Sequence, residues 1–367
     1  MSFFDEDIKR SIWEGKIPII FTLSPDDLTS HLPPAPFALM AARNTYFPLI
    51  TNIVKDYFSS STLVLHEMWL EYKGIPLKWH VPIGVLFDTL VSPGATMVGG
   101  TEQQATYWNI TVHFQSYPER LLMKCLNEES VKTYYRNVLK EAYYIKHGDI
   151  NKINNLNINQ SNELWDGLRL HDYDKFWSIN KLFYNNNNNN SNSSSSNNNN
   201  AGGGYKYIPI RIIYHYKPPI QELIPSIDEN GQELTLENLF YRIPFATLSN
   251  LFTNTSTSTT SPTISPTSSS SSLISIHQAQ EQLHQQQQQS GFLNILQYLK
   301  STPSVKYKIQ GIEPPLDSTL SWLSEYFSHP DNFLYIVLSD SSFSIQSILN
   351  SLNSSNSQQS TSNITSP

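Results

Sequence analysis

Three stretches of this chain cannot build a core, and they limit what the rest can fold into. Residues 185–204 are Asn and Ser with almost nothing apolar, residues 253–290 are Ser and Thr followed by Gln, and residues 339–367 are rich in Ser and Asn. Such segments bury too little apolar surface to offset the entropy of ordering them, so all three are expected to be disordered. The ordered chain is then 1–184, 205–252 and 291–338.

Within those stretches, hydrophobic periodicity sets an order of elements. A short helix ends at Gly15, with Ile8, Ile12 and Trp13 on one edge. Residues 16–23 read as a strand stopped by Ser24-Pro25, residues 42–49 as its partner, and residues 50–58 as a helix carrying Ile50, Ile53, Val54 and Tyr57 on one side. The clearest hairpin runs from His66 to His80: Met68, Leu70 and Tyr72 alternate with Trp69, Glu71 and Lys73, and Lys73-Gly74 supplies the turn. A helix follows from Pro82, with Ile83, Leu86, Phe87 and Leu90 at helical spacing, and the strand 108–114 closes the unit. Strand, strand, helix, strand, strand, helix, strand is the order of ubiquitin-like (β-grasp) domains, although other α+β folds share it.

From 122 to 184 the periodicity is helical, with one helix over 129–145 and one or two over 163–183. The first pattern then recurs. There is a strand over 205–216, a turn at Asp228-Glu-Asn-Gly231, a helix over 234–245, a strand over 307–312, a helix over 316–327 and a strand over 333–338. The insert 253–290 falls inside this second unit, which is tolerable because each doubling of loop length costs only about 0.6 kcal/mol. The fold expected is α+β: a helix over 1–15, a first ubiquitin-like domain over 16–121, a helix-rich domain over 122–184, a linker over 185–204, a second ubiquitin-like domain over 205–338 and a disordered tail over 339–367.

Composition excludes several functions. The chain carries 24 basic and 31 acidic residues, a net charge of −7, without the basic face that nucleic-acid binding needs. A single cysteine, Cys125, excludes an intrachain disulfide and any multi-cysteine metal site. The acidic N-terminus lacks the plan of a signal peptide, and no apolar run reaches the roughly 18 residues of a membrane span. The protein is expected to be intracellular and soluble, or at most peripheral to a membrane, with no cofactor.

Several strings carry a more specific signal. Ile12-Trp-Glu-Gly-Lys-Ile-Pro18, Tyr72-Lys-Gly-Ile-Pro-Leu-Lys-Trp-His-Val-Pro-Ile-Gly84, Trp108-Asn-Ile-Thr-Val-His-Phe114, Leu139-Lys-Glu-Ala142, Phe176-Trp-Ser-Ile-Asn180, Tyr207-Ile-Pro-Ile-Arg211, Gly311-Ile-Glu-Pro314, Trp322-Leu-Ser-Glu325 and Pro330-Asp-Asn-Phe-Leu334 together strongly resemble the autophagy protein 5 family. They occur in that family's order and span essentially all of the ordered chain; only the low-complexity inserts depart from it. The resemblance implies two ubiquitin-like domains around a helix-rich domain. It also implies that Lys140, in Leu-Lys-Glu-Ala, forms an isopeptide bond with the C-terminal glycine of a ubiquitin-like modifier, autophagy protein 12. The conjugate would bind a helix of autophagy protein 16 in the interdomain grooves. It would sit on the forming autophagosome (phagophore) membrane and act on the conjugating enzyme of autophagy protein 8, promoting lipidation without catalysis of its own.

The helix itself bears on this. At about 100° per residue, Val131, Tyr135, Val138, Ala142 and Ile145 share one face and Lys140 lies nearly opposite, which predicts a solvent-facing amine. Lys132 and Lys146 lie nearer the apolar edge and are poorer acceptors. These lysines with Arg136 form a basic group that an acidic lipid headgroup would favour, though a plain solvated face explains it as well. Cys125 lies just before the helix, yet a lone cysteine is more often an inert small hydrophobe than a nucleophile. His66, His80, His113 and Glu67 lack a usual zinc spacing and are read as structural. Trp79, Trp108, Trp165, Trp177 and Trp322 are expected mainly in cores, with one or more left for a partner. Two other readings compete: a ubiquitin-like adaptor that is never modified, and a hydrolase built on His113 and nearby carboxylates.

Overall fold

The computed structural model describes residues 3–29, 32–62, 67–91, 107–184, 205–245, 247, 293–341 and 345–350. Strand β1 (Lys16–Leu23) buries Ile17, Ile19, Phe21 and Leu23 on one face, the two-residue period of a half-buried strand. It pairs antiparallel with β2 (Phe37–Ala42) and parallel with β5 (Trp108–His113). Strands β3 (Trp69–Tyr72) and β4 (Ile75–Pro76) complete a five-stranded sheet in the order β2-β1-β5-β3-β4. The β3–β4 turn sits where the alternation placed it: Lys73 and Gly74 both have positive φ, 50° and 87°, the geometry that matches the twist of a two-residue hairpin. Helices α2 (Phe47–Phe58) and α3 (Ile83–Leu90) pack on this sheet.

The partner of β1 lies at Phe37–Ala42 and not over 42–49. Pro48 occupies the first turn of α2, where a missing N–H costs nothing, so the chain leaves the sheet at Ala42. An edge strand with alternate side chains half-buried and exposed gives little hydrophobic signal.

The second unit repeats the plan. Strands β6 (Tyr207–Tyr214), β7 (Leu223–Pro225), β8 (Val305–Lys308) and β9 (Leu334–Asp340) form a sheet in the order β7-β6-β9-β8, with β6 and β9 parallel at its centre. Helices α8 (Leu236–Arg242), α9 (Ile295–Ser301) and α10 (Leu320–Tyr326) cover one face through Ile208, Ile210, Ile212, Leu334, Ile336 and Leu338. The opposite face is also covered, since Ile213, Tyr335 and Val337 pack against α3 and the long helix Glu128–His147. Burial on both faces explains why β6 and β9 are nearly continuous apolar runs. Helix α9, just beyond the Gln-rich insert, is seven residues long, too short for its apolar residues to establish a period.

Between the units lie α4 (Glu128–His147), α5 (Asn151–Asn154), α6 (Ile158–Arg169) and α7 (Tyr173–Asn180). Helix α1 (Phe3–Trp13) joins them by inserting Trp13, whose ring lies 5.0 Å from His171 and 4.8 Å from Phe176. The low-complexity stretches 185–204 and 253–290 lie outside the described residues. The tail does not behave as its composition implies: β9 runs to Asp340, and residues 345–350 are helical. Ile345, Ile348 and Leu349 pack on the core of the first unit. An apolar triad at i, i+3, i+4 is enough for this, and the surrounding Ser and Asn hid it.

Candidate functional site

Helix α4 is 20 residues long, about 30 Å at 1.5 Å per residue, and both ends are fixed. The Asn127 side chain accepts from the Ser130 N–H at the start, and Gly148 ends it with φ 82°. Its buried residues form two edges. Val131, Tyr135, Leu139 and Tyr143 join the helical cluster with Trp165, Leu168 and Phe176, while Val138, Ala142 and Ile145 join Val85, Ile213 and Val337 at the second sheet. The helix is held from two directions and bridges the two units.

This two-sided packing corrects the placement of Lys140. Leu139 and Tyr143 are 1% and 4% exposed and widen the buried arc toward Lys140, so its stem lies on the flank of the outer face and the residue is half-buried. Among the described residues its amine makes no hydrogen bond or ion pair. Arg136 and Asn137 one turn before are exposed, as is Tyr144 one turn after, at 59%. Lys132 is half-buried. Lys146 is enclosed, 3% exposed, with its amine 5.0 Å from the ring centre of Tyr184 and 4.8 Å from that of Tyr205. Burial pushes it down to about 7, with Glu325 acting in the opposite sense and Lys9 adding to the fall. Lys146 is therefore neither an accessible acceptor nor part of a basic face.

The segment 329–333 ties the helix to both units. The Tyr135 hydroxyl donates to the Pro330 carbonyl at 3.2 Å, Tyr335 donates to Asp331 at 2.8 Å, and the Asn332 amide donates to Asn180 at 3.1 Å. Tyr46 of the first unit reaches the same Asp331 at 3.5 Å. Alongside, the Gln310 amide donates to Asn44 at 3.0 Å. Arg43 forms a buried ion pair with Asp88 across Gly84, where an added Cβ would stand 2.9 Å from the Arg43 Cβ. A residue larger than glycine cannot occupy that passage unless Arg43 moves. Nothing local to Arg43, Asp88 or Gln310 marks them, since their partners are remote in the chain. Asn332, with φ 64°, belongs to a residue type that tolerates positive φ, and that was a signal available to sequence reasoning.

The other candidates resolve as follows. Cys125 lines a cleft of about 510 Å³ with Phe47, Met68 and Trp79. Burial, then Glu67, pushes its thiol up to about 11, the reverse of an activated nucleophile. His113 is stacked 4.0 Å from Trp69 and lies 3.3 Å from Glu71 and 3.9 Å from Asp27. The neighbouring His113 imidazole lowers the Glu71 carboxyl. His66 lies outside the described residues, and His80 faces Trp79 and Tyr134. Among the described residues no group of three or more His, Cys, Asp or Glu side chains is placed to hold a metal ion. Trp79, Trp108 and Trp165 are buried, whereas Trp322 is 40% exposed over Tyr326 and Phe327. No helix among the described residues is long and apolar enough to cross a membrane.

Comparison with known proteins agrees with this architecture. The family model described as autophagy protein ATG5, UblA domain, matches residues 12–114; that for the ATG5 alpha-helical bundle region matches 128–186; and that for the ATG5 UblB domain matches 207–338. Autophagy protein 5 of Dictyostelium discoideum is 53% identical over 400 residues, covering 93% of this chain and 97% of that protein. Autophagy protein 5 of Drosophila melanogaster is 28% identical over 342 residues, covering 90% of this chain and 96% of the other. The crystal structure of Kluyveromyces marxianus Atg5 shares the fold at a TM-score of 0.60 and 18% identity, covering 90% of this chain and 99% of that one. With two ubiquitin-like units flanking a helical bundle and all three family models in order, the chain belongs to the autophagy protein 5 family and has its role in autophagy.

Proposed function

We propose that Lys140 is the acceptor for a ubiquitin-like modifier, autophagy protein 12, joined through an isopeptide bond to the modifier's C-terminal glycine. The observation that carries this reading is the setting of Lys140. It lies in Leu139-Lys-Glu-Ala142 on a helix clamped from two sides, with an amine that no described residue holds. An isopeptide acceptor needs an amine that can reach a thioester without dragging the backbone, and a fixed rod with an unengaged lysine supplies that. The thioester cysteine belongs to the conjugating enzyme. Cys125, with its raised thiol, does not compete for that role.

The conjugate is a non-catalytic scaffold of a ubiquitin-ligase-like assembly. It binds a helix of autophagy protein 16 and promotes transfer of autophagy protein 8 to phosphatidylethanolamine. It works in the cytoplasm, peripheral to the phagophore membrane. Exposed Met40, Ile312 and Trp322, at 56%, 48% and 40%, offer the apolar anchors a helical partner needs.

A denaturing gel of the protein from cells tests the acceptor. A stable shift of modifier size that disappears in Lys140→Arg and persists in Lys132→Arg supports it. A wild-type chain that never shifts supports the unmodified adaptor.

A further inference from the structure

The cleft that Cys125 lines has a volume of about 510 Å³, within the range that holds a small molecule. It opens between α2, β3 and the connection from β5 to α4. Phe47 and Met68 give it apolar surface, and Trp69, Trp79 and Tyr117 give it an aromatic wall. Lys140 does not line it, so nothing here rests on the conjugation reading.

The polar edges of these rings are already used. Trp79 Nε1 donates to the Met123 carbonyl at 2.7 Å, the Tyr117 hydroxyl donates to the same carbonyl at 2.8 Å, and Trp69 Nε1 donates to the Gln115 carbonyl at 2.8 Å. One side of the Trp69 ring is taken by His113, 4.0 Å away. What the rings have left for a ligand is π surface. Two carboxylates line the cleft, and they differ. Glu128 is engaged: its Oε1 accepts from Trp165 Nε1 at 3.2 Å and lies 3.5 Å from Arg169. Glu67 is not, since its Oε1 is buried with no hydrogen-bond partner among the described residues.

Two acidic groups report the resulting field. Burial, then Glu67, pushes the Cys125 thiol up to about 11 and the Tyr117 hydroxyl up to about 12. A carboxylate in a partly desolvated space beside aromatic rings favours a cation. Lys55 lines the same cleft, yet it forms no ion pair with Glu67 or with any other described residue. It is half-buried on α2, and its four-carbon stem lets the ammonium turn to water. Glu67 has no such freedom for its enclosed oxygen.

We propose that this cleft binds a small organic ammonium, with the cation held by the Glu67 carboxylate and the aromatic wall and its apolar body resting on Phe47 and Met68. A neutral ligand would leave the carboxylate without a counter-charge, and an anion would be repelled by it. A bare metal ion lacks a ligand set, because among the described residues no group of three or more His, Cys, Asp or Glu side chains is placed to hold one.

Calorimetry on the full chain at pH 7 uses phenethylamine, 2-phenylethanol and phenylacetate, which share an aryl body and differ in charge. Phenethylamine is expected to bind at least about tenfold more tightly than either of the others. That comparison needs no variant, so it stands even should a substitution impair folding. Glu67→Gln is expected to weaken phenethylamine at least about tenfold and to leave 2-phenylethanol unchanged, a result that loss of the fold would not give. Lys55→Gln does not weaken phenethylamine, and Glu229→Gln, outside the cleft, leaves it unchanged. N-acetyl-lysine amide presents the same ammonium on a peptide with a thin stem and is expected to bind more weakly than phenethylamine. No heat from phenethylamine up to about 10 mM, a smaller preference for the cation, full affinity in Glu67→Gln, or equal binding of the lysine amide overturns the proposal.

Discussion

Lys140 and Lys146 share one helix yet meet opposite surroundings, and the second makes stability depend on pH. Lys146 in the folded chain lies at about 7, against 10.5 for an ordinary lysine. Between those values the unfolded chain binds the extra proton, so folding becomes more favourable as pH rises, and below about 7 the full cost is present. From pH 7 to 9 the gain from this group is about 2–3 kcal/mol. Urea unfolding at the two pH values should show it, and Lys146→Met should leave a smaller slope, to which Lys78, Lys217 and Lys308, all lowered by burial, contribute. A second residue-scale case is the buried pair of Arg43 and Asp88. Burial raises the Asp88 carboxyl and Arg43 opposes that rise, so Arg43→Met leaves a carboxylate enclosed without its cation. Denaturant melts should show a loss of about 3–5 kcal/mol, reduced when Asp88→Leu is added. None of this was legible in the chain. Lys146 read as an ordinary lysine near the apolar edge, and burial of its amine depends on Tyr184 and Tyr205, which the sequence places far away.

At the scale of elements, the strands and helices followed their periods wherever a face was buried by one neighbour. The hairpin at Lys73-Gly74 and the length of α4 follow from alternation, turn residues and caps. Elements buried on two sides or on none were harder to read. Leu139 and Tyr143 extend the buried arc of α4 because a second partner covers that side, so Lys140 is half-buried where a one-faced helix would have exposed it. Edge strand β2, with only part of its length buried, alternates too weakly for the sequence to locate it. The helix over 345–350 shows how little apolar surface suffices when a groove already exists. Ile348 is 7% exposed against the first unit, so Ile348→Ala should cost about 2 kcal/mol. Urea unfolding followed by tryptophan fluorescence measures it.

At the scale of the molecule, the two ubiquitin-like units meet at α4 and at the segment 329–333, so the conjugation helix is fixed by both. The described residues on either side of the Gln-rich insert pair with each other: Phe245 N–H donates to the Leu293 carbonyl at 2.6 Å, and Pro244 and Asn294 form an antiparallel bridge. With those ends already paired, replacing residues 248–291 with a short Gly/Ser linker should move the melting temperature by no more than a few degrees, since loop closure depends only weakly on length. Calorimetric scans of the two chains test this. The tripartite order was legible because each part carries its own period. The mutual packing was not, because Tyr46, Tyr135, Asn180 and Asp331 come together only in the folded chain. The most direct test of the central claim is mass spectrometry of the protein purified from cells. A tryptic peptide branched at Lys140 through the C-terminal glycine of a ubiquitin-like modifier is the predicted result. A chain whose Lys140 is found only unbranched, or whose branch sits on another lysine, contradicts it.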